Sequence, residues 1–466
     1  MQKDAEIWKK EFEGWYGGMK ILHYFLGFPP YRTGGLTKYA FDLAKSQVTD
    51  GNEVLALWPG EIKSYSAQPY IKEGKRIEGI RNLELINPLP VSLDEGINQF
   101  EAFTKPCDVG IYVSFLEIEK PDVIHIHTLM GMHKEFIEAT NQSKIRTVYT
   151  SHDYFGLCPK VTLYKYGECC DDDHCCRDCI QCNANSLSLK KIQILQSHIY
   201  RWAKDTSIVK MLRKKHRGEF FAEKEVLNMP GVDTEETSAA YRKLRAYYVW
   251  MYEHIDFIHF NSTVSESVFK RYLTPKDSKV VSITHKGILD NRDNPHVNSD
   301  KLRIVYLAPA KPFKGFYVLK QALDEFWDEG HRNFELQVFS SVVDSSPYMN
   351  INEEGFKQSE LKDIFSNADM LVAPSVWYET FGFTVLEAIS NGVPVIVSDN
   401  VGSKDIIGDA GIVVKANNID ELTNAIRYLL EEDNRFCLKE HISELNLVSW
   451  RNFVDINYQL YIEENR

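Results

Sequence analysis

Met370-Leu-Val-Ala-Pro-Ser-Val-Trp-Tyr-Glu379-Thr-Phe-Gly-Phe-Thr-Val-Leu-Glu387-Ala388 joins a short apolar run to a loop and the opening of a helix. The run Met370 to Ala373 reads as a strand buried on both faces, and the residues after it hand the chain to a helix at about Thr384. Gly382, Phe383 and Thr384 then present backbone amides that a first helical turn cannot pair, at the positive end of the helix dipole. Such a turn suits a diphosphate. Glu387 lies about one turn further on the same side, where a carboxylate can accept both hydroxyls of a ribose, and Glu379 in the loop can reach a sugar. Taken alone, the two glutamates are more simply read as solvated helix-start residues steadied by the dipole.

The same rhythm extends outward in both directions. Lys20-Ile-Leu-His-Tyr-Phe-Leu is an apolar strand that breaks at Gly27 and Pro29-Pro30 into a loop ending in Gly34-Gly35. A helix follows, with Tyr39, Leu43, Ala44 and Val48 at helical spacing, then a stop at Asp50-Gly51-Asn52 and the strand Glu53 to Trp58. Val123 to His127 and Arg146 to Thr150 read as further buried strands, 183–255 as mostly helical, and the pair Phe257–Phe260 and Lys279–Ile283 as the close of a first domain. A polar linker with Asn294-Pro295 leads to a second series at Leu302–Ala308, Phe334–Phe339, Met370–Pro374 and Val393–Ser398. The expected fold is α/β: two Rossmann-like, doubly wound domains facing each other across a cleft, at 19–290 and 291–445, with a helix in 446–466 crossing back to the first. Ligands of open parallel sheets bind at the carboxyl ends of the strands, which places the chemistry in that cleft.

Composition agrees with two cores, since 466 residues with 44% hydrophobic content exceed one ordinary domain. No apolar run of about 18 residues suggests a membrane span, and Lys3, Asp4 and Glu6 do not fit a signal peptide, so the expectation is a cytoplasmic protein. A net charge of −12 argues against a general polyanion binder and against nucleic acid as partner.

In its surroundings the opening segment becomes specific. Glu379 and Glu387 flanking Phe381-Gly382, with Ser359-Glu-Leu-Lys-Asp-Ile-Phe-Ser-Asn-Ala-Asp before and Asn391-Gly-Val-Pro-Val-Ile-Val-Ser-Asp after, resemble the E-x7-E region of the retaining glycosyltransferases of family 4, which have the GT-B fold. The Gly34-Gly35 loop, the strand from Asp122 and Thr150-Ser-His-Asp extend the resemblance, which is weakest over 160–255. It implies transfer from a UDP- or GDP-linked sugar to a glycan or lipid-linked acceptor, with retention of anomeric configuration and no catalytic metal. It implies that His152 and Glu379 orient the sugar, that Lys314 meets the departing diphosphate, and that Gly34, Gly35, Asp153, Gly382, Phe383, Thr384 and Glu387 contact the donor. Ala308-Pro309 departs from the family's usual Gly-Arg, which leaves an altered grip on the leaving group, a substitute cation such as Lys311 or a catalytically weakened sugar-nucleotide-binding subunit as readings. A nucleotide-sugar epimerase or phosphorylase on the same cleft is the alternative enzyme.

Seven of nine cysteines lie in an insertion at 158–182, a feature also resembling some bacterial cell-surface polysaccharide enzymes. The Cys-x2-Cys gaps through Cys176, Cys179 and Cys182, with Cys170, suit tetrahedral zinc; Cys158, Cys169 and Cys175 are alternative ligands. An iron–sulfur cluster is the rival, although the usual trailing Cys-Pro is absent, and free thiols are the plain alternative. Residues 190–217 read as one basic amphipathic helix, suited either to an anionic membrane surface or to a solvated face. In 1–18, Trp8, Phe12, Trp15 and Tyr16 share a helical face to which no function is assigned.

Overall fold

The computed structural model describes residues 18–32, 34–92, 95–165, 167–171, 175–204, 206, 211, 234–297 and 299–462. The aromatic face of 1–18 therefore lies outside the described residues. In the first half, β1 (Lys20–Tyr24), β2 (Glu53–Pro59), β3 (Tyr70–Glu73), β4 (Arg81–Ile86), β5 (Val123–Ile126), β6 (Arg146–Thr150), β9 (Phe257–Phe260) and β10 (Ser278–Val280) form one sheet in the order β10-β9-β6-β5-β1-β2-β4-β3. It is parallel except at β3, which runs against β4. A two-stranded hairpin, β7 (Tyr164–Lys165) with β8 (Glu168–Cys169), stands apart in the cysteine-bearing insertion.

Burial explains why these runs are strands. Ile21 and Leu22, adjacent in β1, point to opposite faces and are both fully buried, each in its own apolar cluster. A strand covered on both sides needs a largely apolar run, and helices over each face supply the cover. On one side lie Phe136, Tyr248 and Met251; on the other lie Tyr39 and Leu43 of the helix Gly35–Thr49. The edge strand Tyr70–Glu73 and its neighbour Arg81–Ile86 escape a sequence reading because they are partly exposed and carry charged residues.

The second half repeats the plan with β11 (Leu302–Tyr306), β12 (Phe334–Val338), β13 (Met349–Ile351), β14 (Met370–Ala373), β15 (Val395–Ser398) and β16 (Gly411–Val414), all parallel in the order β13-β12-β11-β14-β15-β16. Asp369, just before β14, accepts from the Arg303 amide at 2.7 Å and guanidinium at 3.2 Å, and pairs with His296 at 2.8 Å. Burial pushes this carboxyl up, but those hydrogen bonds more than offset it and hold it at about 2, against an ordinary 3.8. Because the folded pKa is the lower one, the stabilisation is present above about pH 4 and is lost as the pH falls toward 2, on the order of 2 kcal/mol. Acid unfolding of Asp369→Asn should accordingly show a shallower loss of stability between pH 4 and 2 than the unaltered chain, measured by urea unfolding at each pH.

The last helix, Trp450–Tyr461, leaves the second domain and packs on the first, where Phe453, Val454, Tyr458, Leu460 and Tyr461 join Tyr39, Leu43 and Val54 in one apolar cluster. Tyr458 Oη accepts from the Asn52 side chain at 2.8 Å, and the Arg146 guanidinium donates to the Leu460 carbonyl at 3.2 Å.

Residues 190–217 do not begin as one continuous helix. Two short helices, Leu189–Leu195 and His198–Ala203, are separated at Gln196-Ser197. Ser197 caps the second helix, and the Gln196 side chain is drawn inward, accepting from the Val91 amide at 2.9 Å and donating to the Gly60 carbonyl at 3.1 Å. Residue 205 and the stretches 207–210 and 212–217 lie outside the described residues. Among the described residues no helix is long and apolar enough to cross a membrane.

Candidate active site

Both sheets aim the loops at their carboxyl ends toward one another. The loop after β14 meets the loops after β6 and β9: Thr380 Oγ1 donates to the His152 carbonyl at 3.2 Å, and Ser262 Oγ donates to the Thr380 carbonyl at 2.5 Å. Asp405 accepts from the amide and hydroxyl of Thr263, both at 2.6 Å. Only glycine fits at 402, where a Cβ would stand 2.1 Å from the Thr380 carbonyl oxygen and 2.5 Å from Ser262 Oγ.

Within this junction Lys314 and Glu379 form a partly buried ion pair at 2.7 Å. Lys314 ends a short 3-10 turn after β11, and Gly315 behind it sits at φ 74 with its Cα so close to the Pro374 carbonyl that a Cβ would lie 1.8 Å from the oxygen. That close approach brings the two loops together. Ser375 Oγ donates to the other Glu379 oxygen at 2.6 Å. Burial pushes the Glu379 carboxyl up, yet the Lys314 ammonium, with hydrogen bonds from Lys314 and Ser375, holds it below the ordinary carboxylate value, so it is ionised at neutral pH.

The helix after the loop spans Phe383–Ile389, with Gly382 at φ 90 before it. Glu387 is buried, and its Oε1 takes a hydrogen bond from Gln358 at 3.0 Å and lies 3.3 Å from His285 Nε2. Gln358 in turn accepts from Lys38 of the glycine-loop helix at 3.1 Å. Gly34 has φ 122, a conformation that favours glycine, whereas a Cβ on Gly35 would make only ordinary contact, 3.6 Å from the Phe383 ring. The glycine loop thus lies against the start of the helix that carries Glu387.

His152 follows β6 and packs at a tilt on Tyr39, with ring centroids 4.6 Å apart. Burial, with repulsion from His259, lowers its pKa to about 3, so the ring is neutral. Asp153 turns into its own domain, accepting from the Phe155 amide at 2.9 Å and from Thr128 at 3.2 Å, while burial raises its pKa to about 6. Pro309 is exposed in the loop after β11, its carbonyl accepting from Tyr306 Oη at 2.9 Å, and Lys311 stands 5.2 Å above the Phe313 ring. Ser375 and Trp377, from the same loop as Glu379, and Gln358, His285 and Lys38, from separate elements that no local spacing marks, are further residues of the site that the sequence reading does not single out.

The cysteine insertion reaches the same junction. Cys169 Sγ donates to the Val376 carbonyl at 3.0 Å, Tyr378 Oη donates to Asp171 at 2.8 Å, and Asp171 pairs with Arg271 at 2.5 Å. Cys158, Cys170, Cys179 and Cys182 line one cavity with Lys160 and Asp178, whereas Cys176 borders a neighbouring one. Burial pushes the Cys182 thiol up to about 12. Among the described residues, the one group of three or more ligand-type side chains with donor atoms within 4.8 Å of one another is His23, His125 and His127, so no three of the described sulfurs come that close together.

Two Rossmann-like domains with their strand ends turned to a shared cleft, and a last helix returning to the first, make this the GT-B fold. Over the whole chain it is similar to a sucrose-phosphate synthase from Thermosynechococcus elongatus (TM-score 0.55, 16% identity, 95% of this chain and 98% of that one). It is also similar to Anabaena HepE solved with UDP and glucose (TM-score 0.51, 13% identity, 95% and 98%). Residues 350–444, which include both glutamates, match the family described as Glycosyl transferases group 1. By sequence, 127 residues are 31% identical to an O-antigen chain mannosyltransferase B of Escherichia coli, a match covering 26% of this chain and 33% of that protein.

Proposed function

We propose that the chain is a retaining, metal-independent glycosyltransferase that moves a hexose from a UDP- or GDP-linked donor to a glycan or lipid-linked acceptor, as a member of family 4 working in cell-surface polysaccharide synthesis. The observation that carries this reading is the Lys314–Glu379 pair at the ends of β11 and β14, with His152 beyond Thr380 across the cleft. The group 1 match over 350–444 and the UDP in the Anabaena neighbour support it.

In this account Glu387, already presenting an acceptor to Gln358 and His285, takes the ribose hydroxyls, and the Phe383 and Thr384 amides meet the diphosphate. As the C1–O bond to the diphosphate breaks, its electron pair stays on phosphate oxygen, where Lys314 stabilises the charge. The acceptor hydroxyl forms the new C1–O bond on the same face and gives its proton to the leaving phosphate. Glu379 and the neutral His152 hold the sugar. Lys314 carries the cationic role without an arginine at 309, since Lys311 lies over Phe313. The test is product analysis of purified protein with UDP- and GDP-sugars and a membrane extract as acceptor source. Released nucleoside diphosphate with a new glycosidic bond is expected; an epimerised sugar nucleotide, with no diphosphate released, would overturn the reading.

The acceptor side supports a membrane site on the cytoplasmic face. Ile194, Ile199 and Trp202 are 61%, 77% and 80% exposed, beside exposed Lys190 and Lys191. Arg201 instead turns inward to Glu84 at 2.6 Å, and Lys204 to the Pro30 carbonyl of the glycine loop. Apolar side chains outward with lysines beside them suit an anionic lipid interface. The cysteines belong to the proposal as a structural zinc site on Cys170, Cys179, Cys182 and either Cys176 or its alternate Cys158: Cys170, Cys179, Cys182 and Cys158 line one cavity, four thiols are a suitable donor set for zinc, and a bound ion would pin the insertion against the donor loop. Elemental analysis should find about one zinc per chain, and fewer than about 0.2 would refute the site.

A further inference from the structure

Buried strands normally carry apolar side chains, yet the first sheet pairs His23 with His125 across β1 and β5 and Thr150 with His259 across β6 and β9, Thr150 lying two residues beyond Val148, the register partner of His125, with His127 just beyond β5, all fully buried. Every ring nitrogen of His23, His125 and His127 already has a hydrogen-bond partner, so a cation could enter this trio only by breaking those bonds.

The direction of each bond follows from one end. The Val281 carbonyl can only accept, so His259 Nε2, 2.7 Å away, carries a proton and Nδ1 does not. Thr150 therefore donates its single hydroxyl proton to His259 Nδ1 at 3.0 Å and must accept from His125 Nε2 at 2.8 Å. His125 Nδ1 is then an acceptor, which forces Tyr461 Oη, at 2.8 Å, to donate to it. With its proton spent, Tyr461 Oη accepts from Gln47 Nε2 at 2.9 Å, and Gln47 Oε1 accepts from His23 Nε2 at 2.6 Å. His23 Nδ1 accepts from His127 Nε2 at 2.9 Å, and His127 Nδ1 accepts from His152 Nε2 at 3.4 Å. The sequence is consistent only with neutral rings, and burial keeps them so, holding His23 and His259 at about 4 and pushing His127 and His125 well below the ordinary histidine value.

We propose that this eight-bond chain from the Val281 carbonyl fixes His152 as the Nε2–H tautomer, leaving Nδ1 as an obligate acceptor for a ligand hydroxyl in the cleft. Gln47 and Tyr461 are positioning residues that carry the polarity through the last helix. Nδ1 has no partner among the described residues. A ring locked this way binds a hydroxyl that donates and rejects a ligand offering only an acceptor at that point. The ligand half of the proposal rests on the transferase reading; the tautomer half does not.

The test is nitrogen NMR of the full chain labelled with 15N-histidine, the His152 signals being assigned by their loss in His152→Gln. The expected result is protonated Nε2 and bare Nδ1 at neutral pH without ligand. Tyr461→Phe frees the Gln47 amide to take either orientation, so His152 should populate both tautomers and kcat should fall about tenfold at a little-changed donor KM. Thr150→Val breaks the chain at a second link and serves if Tyr461→Phe does not fold. A His152 protonated on Nδ1 in the unaltered chain, or an undisturbed single tautomer in the folded variant, overturns the proposal. Because the tautomer is read without substrate, that failure is separate from a failure of the transferase reading, which donor consumption reports.

Discussion

Glu379→Ala should lower kcat/KM for sugar transfer about a thousandfold while the protein stays folded. The carboxylate is held on one oxygen by Lys314 at 2.7 Å and on the other by Ser375 at 2.6 Å, so it is ionised and fixed before any substrate arrives. Removing it takes away a sugar-holding group and also releases the Lys314 ammonium, which stands 4.8 Å above the Trp377 ring, from its counter-ion. Lys314→Met should cost a similar factor through the leaving group. Because the two side chains act as one unit, the double variant should lose little more than either single one. Steady-state kinetics on the three variants checks this; independent, additive losses would mean that the pair is not a functional unit, and an unchanged rate in Glu379→Ala would remove it from the site.

A chain ending at Leu445 should fail to fold its first domain. The lost helix buries Phe453, Val454, Tyr458, Leu460 and Tyr461, all 6% exposed or less, against Tyr39, Leu43 and Val54. At about 1.5–3 kcal/mol for each large apolar side chain, the deletion removes on the order of 10 kcal/mol, comparable with the whole stability of an ordinary domain. It also leaves the polar groups of Gln47 and Asn52, satisfied by Tyr461 and Tyr458, without those partners. Limited proteolysis should cut the truncated chain throughout 19–290; a protected first domain would contradict this account of its core.

The sequence reading reached the strands that are buried on both faces, because a short apolar run such as Met370–Ala373, stopped by a proline, is too brief for a helix and too apolar for a solvated loop. It missed β13 and β16, three and four residues long and partly exposed, whose place is settled by pairing with β12 and β15. It took the basic stretch for one helix because spacing cannot show that Gln196 is pulled inward by Val91 and Gly60. Glu379, Glu387 and Lys314 were singled out by the family resemblance of their surroundings, since spacing alone reads the two glutamates as solvated helix-start residues. Their partners were not: Gln358 and His285 approach Glu387 from different elements, and the imidazoles of β1, β5 and β9 read in sequence only as interruptions of apolar runs.

The most direct test of the central claim is to follow the anomeric proton while the purified chain consumes a UDP- or GDP-linked α-hexose in the presence of its acceptor. Formation of an α-linked product with one nucleoside diphosphate released per bond is the expected result. A β-linked product would contradict retention, and failure to consume any donor of either base would contradict the transferase reading itself.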